Sequence, residues 1–133
     1  MSLLFAKVSD IKRQDNLHIV TFQTKRTILS MMSLELNNNI SVGTRVKLAL
    51  KPTQIALAAT PLDSISLLNQ LPATVVSRKD GKLLSSIMLD FEGNLLEVIT
   101  TRRAAQHLNL QIEDKVTALI NESEISISEI LDD

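Results

Sequence analysis

The chain has 133 residues with 14 basic and 15 acidic side chains, a formal net charge of −1, and 44% hydrophobic residues. This balance supports a globular core and gives no overall attraction to nucleic acid or to an anionic membrane. The lack of cysteine excludes disulfides and thiolate metal sites, and three Phe without Trp or Tyr leave little for stacking on bases or sugars. The sequence contains no apolar run of transmembrane length and no secretory signal pattern, so we expect a cytoplasmic protein without membrane insertion.

Short runs of alternating apolar and polar residues predict a β-rich first half. The predicted strands are residues 3–11, 17–22, 27–30, 45–50 and 54–58. Between the third and fourth of these strands the period changes, and residues 30–36 predict a helix of one or two turns with Ser30 as its N-cap. Pro52 lies in the connection that would close the last two strands into a hairpin.

The second half repeats this plan. Its predicted strands are residues 73–77, 83–90, 95–99, 115–120 and 124–127. A short helix is predicted at residues 101–108 with Thr100 as its cap. Pro61 and Asp63 mark a linker, which gives a first domain at residues 1–60, a linker at 61–70 and a second domain at 71–133.

The two halves also match residue by residue. Residues 42–57 align with 112–127 and 28–30 with 98–100 at an offset of 70, and 6–8 align with 73–75 at an offset of 67. A period this long indicates two copies of a small domain, with a short indel expected in a hairpin near the start. Four or five strands and a helix in each copy predict an all-β fold of two OB-like Greek-key β-barrels, each with one short helix.

The starts of the two predicted helices are the first candidate binding positions. Ser30 and Ser33 would lie at the N-cap and third position of the first helix, and Thr100, Thr101 and Arg103 at the start of the second. A helix start presents free backbone N–H groups and the positive end of the helix dipole, which together attract anions. Ordinary helix capping remains the more common role for serine and threonine at such positions.

A strand end and the linker supply two further candidates. Lys51 ends a predicted strand, where an ammonium group can reach a bound anion, although most such lysines are simply solvated. Ser66 and Asn69 offer polar donors just before a strand, although a plain polar linker would look the same. The sequence contains no Ser-His-Asp or Cys-His set and no glycine-rich phosphate loop, so we expect no enzyme and no organic cofactor.

The order of these motifs resembles a tandem pair of Mop domains, a molybdate-binding group within the TOBE class of OB folds. The helix-start pattern "V-x-T-x-x-S" corresponds to residues 28–33 and 98–103. The pattern "G-x-x-V-x-A-L-I-K-A-S-x-V" corresponds to residues 43–55 and 113–125. The pattern "S-A-R-N" corresponds to Ser66-Leu67-Leu68-Asn69.

This resemblance implies a non-catalytic protein that binds molybdate or tungstate at domain or subunit interfaces, for storage or sensing. Ser30, Ser33, Lys51 and Thr100 match family binding positions, and Ser66 matches one more loosely. It also implies a homo-oligomer, such as a dimer or trimer, with no direct binding of nucleic acid.

Three departures from the family pattern fall at polar positions. Leu68 replaces the family arginine, Asn121 the second lysine and Arg103 the second helix serine, so we expect unequal sites in the two repeats. The alternative is a dimerisation or regulatory module of a larger transporter ATPase or transcription regulator, without its own ligand. Whether the chain is complete or a C-terminal fragment stays open.

Overall fold

A computed structural model describes residues 1–131 of the chain, which form ten strands, one α-helix and two 3₁₀ turns. The strands are β1 (Ser2–Gln14), β2 (Leu17–Gln23), β3 (Ile28–Ser33), β4 (Arg45–Leu50), β5 (Ala56–Ala58), β6 (Asn69–Asp80), β7 (Leu84–Phe91), β8 (Asn94–Thr101), β9 (Lys115–Ile120) and β10 (Ile125–Leu131). The helix is α1 (Arg102–Leu108), and the 3₁₀ turns are Pro52–Gln54 and Glu122–Glu124. Asp132 and Asp133, the end of the predicted second domain, lie outside the described residues.

Every second residue along the strands tends to be buried. In β1, Leu4, Ala6 and Val8 are buried while the residues between them are exposed, so one face of the strand joins the core. Phe22 and Phe91 are among the largest fully buried side chains and come from different repeats. One buried cluster includes residues of both repeats, which agrees with the expectation that copies this small pack on each other.

Each half of the chain contributes a strand to the sheet of the other half. The strands form two curled five-stranded sheets in the orders β10-β4-β1-β2-β3 and β5-β9-β6-β7-β8. Strand β5, from the first repeat, pairs with β9, and β10, from the second repeat, pairs with β4. The predicted fold of two OB-type β-domains is confirmed, but no cut between residues 60 and 71 would leave two complete sheets.

The expected hairpins at the end of each repeat are therefore wrong. Pro52 begins a 3₁₀ turn after β4, where its missing N–H group costs no ladder hydrogen bond. In the second repeat, Asn121 stands at the position of Lys51 and caps the equivalent turn Glu122–Glu124 with its side chain. Both turns carry the chain across to the other sheet instead of folding it back on the preceding strand.

The strand pairing shows which residues of the two repeats are structurally equivalent. Val8 pairs with Phe22 and Val75 pairs with Leu89, and both first strands have a bulge directly afterwards. The offset of 67 therefore holds through the first three strands of each repeat. The pairs Thr21–Ser30 and Met88–Glu97 follow the same offset, so the counterpart of Ser30 is Glu97 rather than Thr100.

The three-residue indel lies after the third strand, and not in an early hairpin as the sequence alignment suggested. Ser2 pairs with Leu50 and Asn69 pairs with Ile120, so the offset has risen to 70 by the fourth strands. Counted from the equivalent residues Ser33 and Thr100, the chain is consequently three residues longer before β9 than before β4. Three residues are nearly one helical turn, which explains why only the longer connection contains a helix.

The predicted helix at residues 30–36 is wrong because this segment continues the sheet. Leu29 and Met31 are buried, and the residues on either side of Met31 face the other way, as a strand requires. In the second repeat, α1 begins one residue later than predicted. Thr101, and not Thr100, is its N-cap, and its side chain accepts a hydrogen bond from the backbone N–H of Ala104 at 3.1 Å.

Candidate functional site

Ser30 lies at a contact between the two repeats. Its backbone N–H donates to Oδ1 of Asn69 at 2.8 Å, and its carbonyl oxygen accepts from Nδ2 of Asn69 at 2.9 Å. Asn69 is only 1% exposed and stands at the start of β6. Its amide thus satisfies both backbone groups of Ser30 and fixes β3 against the end of the linker.

The Ser30 hydroxyl faces a carboxylate. It donates to Oε2 of Glu122 at 2.7 Å. Glu122 opens the second 3₁₀ turn, where Oδ1 of Asn121 accepts from both the backbone N–H and the hydroxyl of Ser123 at 3.0 Å. The distance is typical of an O–H group bound to a charged oxygen, so Ser30 already acts as a donor to an anionic group.

Lys51 belongs to a different part of the fold. It precedes the first 3₁₀ turn, which contacts β8, whereas the second 3₁₀ turn contacts β3. The predicted combination of Ser30 with Lys51 is therefore not formed within one chain, because strand exchange brings Asn121 and Glu122 to β3 instead. This crossing could not be read from the order of the motifs.

Glu97 replaces Ser30 at the equivalent position of the second repeat. Its backbone N–H donates to Oγ of Ser2 at 2.9 Å, which mirrors the contact between Ser30 and Asn69. The Glu97 carboxylate accepts a hydrogen bond from the hydroxyl of Ser86 at 3.1 Å. In both halves the backbone N–H group at this position thus donates to a polar side chain, while the side chain at the position itself is serine in one repeat and glutamate in the other.

Ser33 bonds locally and borders a cleft. Its hydroxyl donates to the carbonyl oxygen of Glu35 at 2.5 Å and accepts from the N–H of the same residue at 3.2 Å. The cleft has a volume of about 640 Å³ and lies between β3, the segment that follows it, and β10. At the equivalent place in the second repeat, α1 lines a cavity of only about 170 Å³. The missing helical turn therefore leaves the first domain open at this end.

The predicted residues of the second helix start lie in two environments, because Thr101 and Arg103 border one groove and Thr100 lines a separate cavity. Thr100 is partly buried in the cavity of 170 Å³, beside Ala104. Thr101 uses its hydroxyl oxygen as the helix cap. Arg103 is exposed next to a shallow groove that Lys82 also borders. These residues do not converge on one point in the way that the sequence suggested.

Ser66 lies in an exposed part of the linker, three residues before Asn69. Gln70 holds this linker in place, because its side chain accepts from the N–H of Leu62 at 3.0 Å and donates to the carbonyl oxygens of Leu62 and Leu67 at 2.7 and 3.0 Å. Strand β6 begins at Asn69, so the last two residues of the predicted linker 61–70 lie in this strand. Ser66 is therefore close in the chain to the clamp on Ser30.

The sequence did not predict a set of four hydrogen-bond donors that face the carboxylate of Glu92. The turn between β2 and β3 directs two hydroxyls and two N–H groups at the carboxylate of Glu92, which lies in the turn between β7 and β8. The hydroxyls of Thr24 and Thr27 donate at 3.1 and 2.8 Å, and the N–H groups of Lys25 and Arg26 at 2.9 and 3.1 Å. In the structure Glu92 has a positive φ of 51°, in a turn that favours Asn or Gly.

The Glu92 carboxylate is stabilised in its charged form. Partial burial raises the pKa of Glu92, but the hydrogen bonds from Thr27, Thr24 and the N–H groups of Arg26 and Lys25 outweigh this effect. The pKa therefore lies below the ordinary glutamate value of 4.5. Because the contact joins equivalent turns of the two repeats, Glu92 serves as a clamp between them.

A metal site does not emerge from the side chains. Within residues 1–131, no three His, Cys, Asp or Glu side chains are grouped closely enough to hold a metal ion. In the same part of the chain, none of the helical segments has the length and apolar character needed to cross a bilayer. The polar chemistry described above is instead that of hydroxyl, amide and N–H donors facing carboxylates.

The fold defines a tandem protein of OB-type β-domains that exchange their last strands. Residues 65–127 match the model of the TOBE domain family. The whole chain is similar in structure to the cytoplasmic molybdate-binding protein ModG, solved with molybdate bound, with a TM-score of 0.87. That match covers 94% of this chain and 93% of ModG at 20% identity, and it establishes the fold. The resemblance to tandem TOBE-class domains is thus confirmed.

Other relatives match part of the chain. The molybdenum import ATP-binding protein ModC of Brucella abortus and that of Brucella suis are each 33% identical over 76 residues, which is 56% of this chain. The chain spans only 21% of the length of these proteins. A molybdate-binding protein from Sporomusa ovata is 36% identical, with 44% of this chain and 88% of that chain covered at a TM-score of 0.43.

Proposed function

We propose that this chain is a non-catalytic, cytoplasmic protein that binds molybdate or tungstate for storage or sensing. The observation that carries the proposal is the Ser30 hydroxyl, which is held by the Asn69 clamp and already donates to an anionic oxygen at 2.7 Å. A tetrahedral oxyanion needs O–H and N–H donors of this kind with little excess positive charge. The names of ModG and ModC, which concern molybdate and molybdenum, support this choice of ligand.

We place the main site at the meeting of the repeats, around Ser30. Its neighbours come from β6 and from the second 3₁₀ turn, which belong to the other repeat. Ser66 and Lys51 are exposed, and we assign them to contacts that a second copy would complete in a dimer or trimer. Ser33 would line the open end of the first domain beside this site.

A second, weaker site is assigned to the other repeat. Thr100 is its best candidate, since it occupies the position equivalent to Ser33 and lines a small cavity. Thr101 and Arg103 would contribute from the start of α1 only by giving up the cap or by turning towards the cavity. The two sites are thus expected to differ in affinity.

Calorimetric titration with molybdate, tungstate and sulfate tests this proposal. We expect heat from the first two anions, and we expect Ser30→Ala to weaken binding at least about tenfold, as loss of one charge-assisted hydrogen bond would. Ser77→Ala, at an exposed position of β6, serves as the matched control and should bind like the parent. Absence of heat with both molybdate and tungstate would contradict the proposal.

The second candidate function is a dimerisation or regulatory module of a larger protein, without its own ligand. The partial match to ModC favours it, because the chain spans a fifth of that ATP-binding protein. Mass measurement and thermal unfolding with and without molybdate separate the two functions. A module without ligand should keep the same assembly and midpoint in both conditions.

A further inference from the structure

The Glu122 carboxylate accepts the hydrogen bond of the Ser30 hydroxyl, the group on which the proposed site depends. The carboxylate reaches β3 from the other repeat, because β10 pairs with β4 and so brings the preceding 3₁₀ turn to the first sheet. The side chain of Asn121 caps that turn and fixes its first residue next to Ser30. The contact is therefore part of the exchanged-strand architecture and not a chance surface pair.

A bound oxyanion and the Glu122 carboxylate exclude each other at this place. A serine hydroxyl has one hydrogen to donate, and Ser30 directs it to Oε2 of Glu122. A dianion that accepted the same hydrogen would also lie at contact distance from a like charge, which is strongly unfavourable. Binding at Ser30 thus requires the Glu122 side chain to move away first.

At the position equivalent to Ser30, the second repeat offers no hydroxyl. Glu97 takes the position of Ser30 there, so the strand carries a carboxylate instead of a hydroxyl. The duplicated scaffold therefore presents this strand hydroxyl in one repeat alone, and Glu122 covers it.

We propose that Glu122 is an internal competing ligand for the oxyanion position at Ser30. This inference rests on the proposed function and names a regulation of the same site. Since apparent affinity falls in proportion to the fraction of molecules with the site open, the carboxylate sets the oxyanion concentration at which the protein fills. Replacing the Glu122 carboxylate by a neutral group removes its repulsion of the oxyanion and weakens its competition for the Ser30 hydroxyl.

Molybdate titration of the parent protein and Glu122→Gln provides the test. The amide keeps the size of the side chain and can still accept from Ser30, but it carries no charge. We expect the dissociation constant of Glu122→Gln to be at least about tenfold lower than that of the parent protein, as expected if the open state is a tenth or less of the population. Glu124→Gln, in the same 3₁₀ turn, is the matched control and should change affinity by less than about twofold.

Two further variants complete the design. Adding Ser30→Ala to Glu122→Gln should abolish the gain, because the uncovered donor is then missing. If the glutamine amide still covers Ser30, Glu122→Ala repeats the test. This variant is used provided that its unfolding transition is the same as that of the parent protein. If the parent, Glu122→Gln and Glu122→Ala proteins all bind molybdate equally well, the competition is overturned while the proposed function stays intact. No binding by any variant would overturn both.

Discussion

Glu92 provides the sharpest test of how the two repeats hold together. Its carboxylate accepts four hydrogen bonds from the turn formed by residues 24–27. At a partly exposed turn each bond contributes near the lower end of its usual range, so four bonds at about 0.5 kcal/mol stabilise the fold by about 2 kcal/mol. Glu92→Ala keeps a side chain at the same positive φ, and the backbone cost therefore cancels from the comparison.

Thermal unfolding followed by circular dichroism measures this effect. We expect Glu92→Ala to lower Tm by about 5–10 °C at neutral pH for a chain of this size. Glu92→Gln should lose about half as much, because the amide retains one acceptor oxygen. Glu113→Ala is the matched control, since Glu113 also has a positive φ, of 75°, but its side chain is exposed. We expect this control to stay within about 0.5 kcal/mol of the parent protein.

The pH dependence follows from the lowered pKa of Glu92. A carboxyl whose pKa is depressed by folding contributes stability above its unfolded value, and this contribution disappears as the pH falls through the folded value. The stability difference between the parent protein and Glu92→Gln should therefore shrink as the pH falls below the ordinary value of 4.5. A difference that stayed constant from neutral pH to acid, or a Glu92→Ala variant as stable as Glu113→Ala, would refute the clamp.

Three other consequences follow from the same contacts. Asn69→Ala should cost about 2–3 kcal/mol of unfolding free energy, because both backbone groups of Ser30 lose their partner; an unchanged denaturant midpoint would argue against this role. Ser85→Ala should bring the pKa of Asp80 back towards 3.8, since the hydroxyl of the buried serine is the main cause of its lowered value, and NMR titration of the carboxyl would show no change if the contact were unimportant. The isolated fragment of residues 1–60 lacks the strand that pairs with β4, so we expect an unfolded chain or a strand-exchanged dimer by light scattering, and a folded monomer would contradict the strand exchange.

The local sequence patterns were sufficient to predict the strands and the duplication. The alternation in residues 3–11 predicts β1, because side chains on one face must enter the core whatever the partner strand is. The prediction at residues 30–36 failed because a short run with two methionines and leucines fits both periods, and neighbouring β2 decided between them. Placing the three-residue indel in an early hairpin displaced the counterpart of Ser30 by three residues.

The candidate site shows the limit of sequence reasoning more clearly. Ser30 and Asn69 were both recognisable as polar residues beside strands, but their mutual contact depends on how the repeats pack. Glu122 and Glu92 carry no local signal for their roles, since each bonds to a residue more than 60 positions away. A hairpin was assumed after Lys51, whereas the chain crosses between the two sheets there, so Lys51 and Ser30 lie apart within one chain.

The sequence by itself determined that this protein is a tandem of two small β-domains with unequal polar positions. Apolar periodicity and a repeat of nearly constant offset carry that information along the chain. Only the tertiary structure decided that the last strands are exchanged, that the three-residue indel removes a helix from the first repeat, and that a carboxylate covers Ser30. The reason is physical: backbone pairing is satisfied equally well by either sheet edge, so the partner is chosen by the packing of both repeats together.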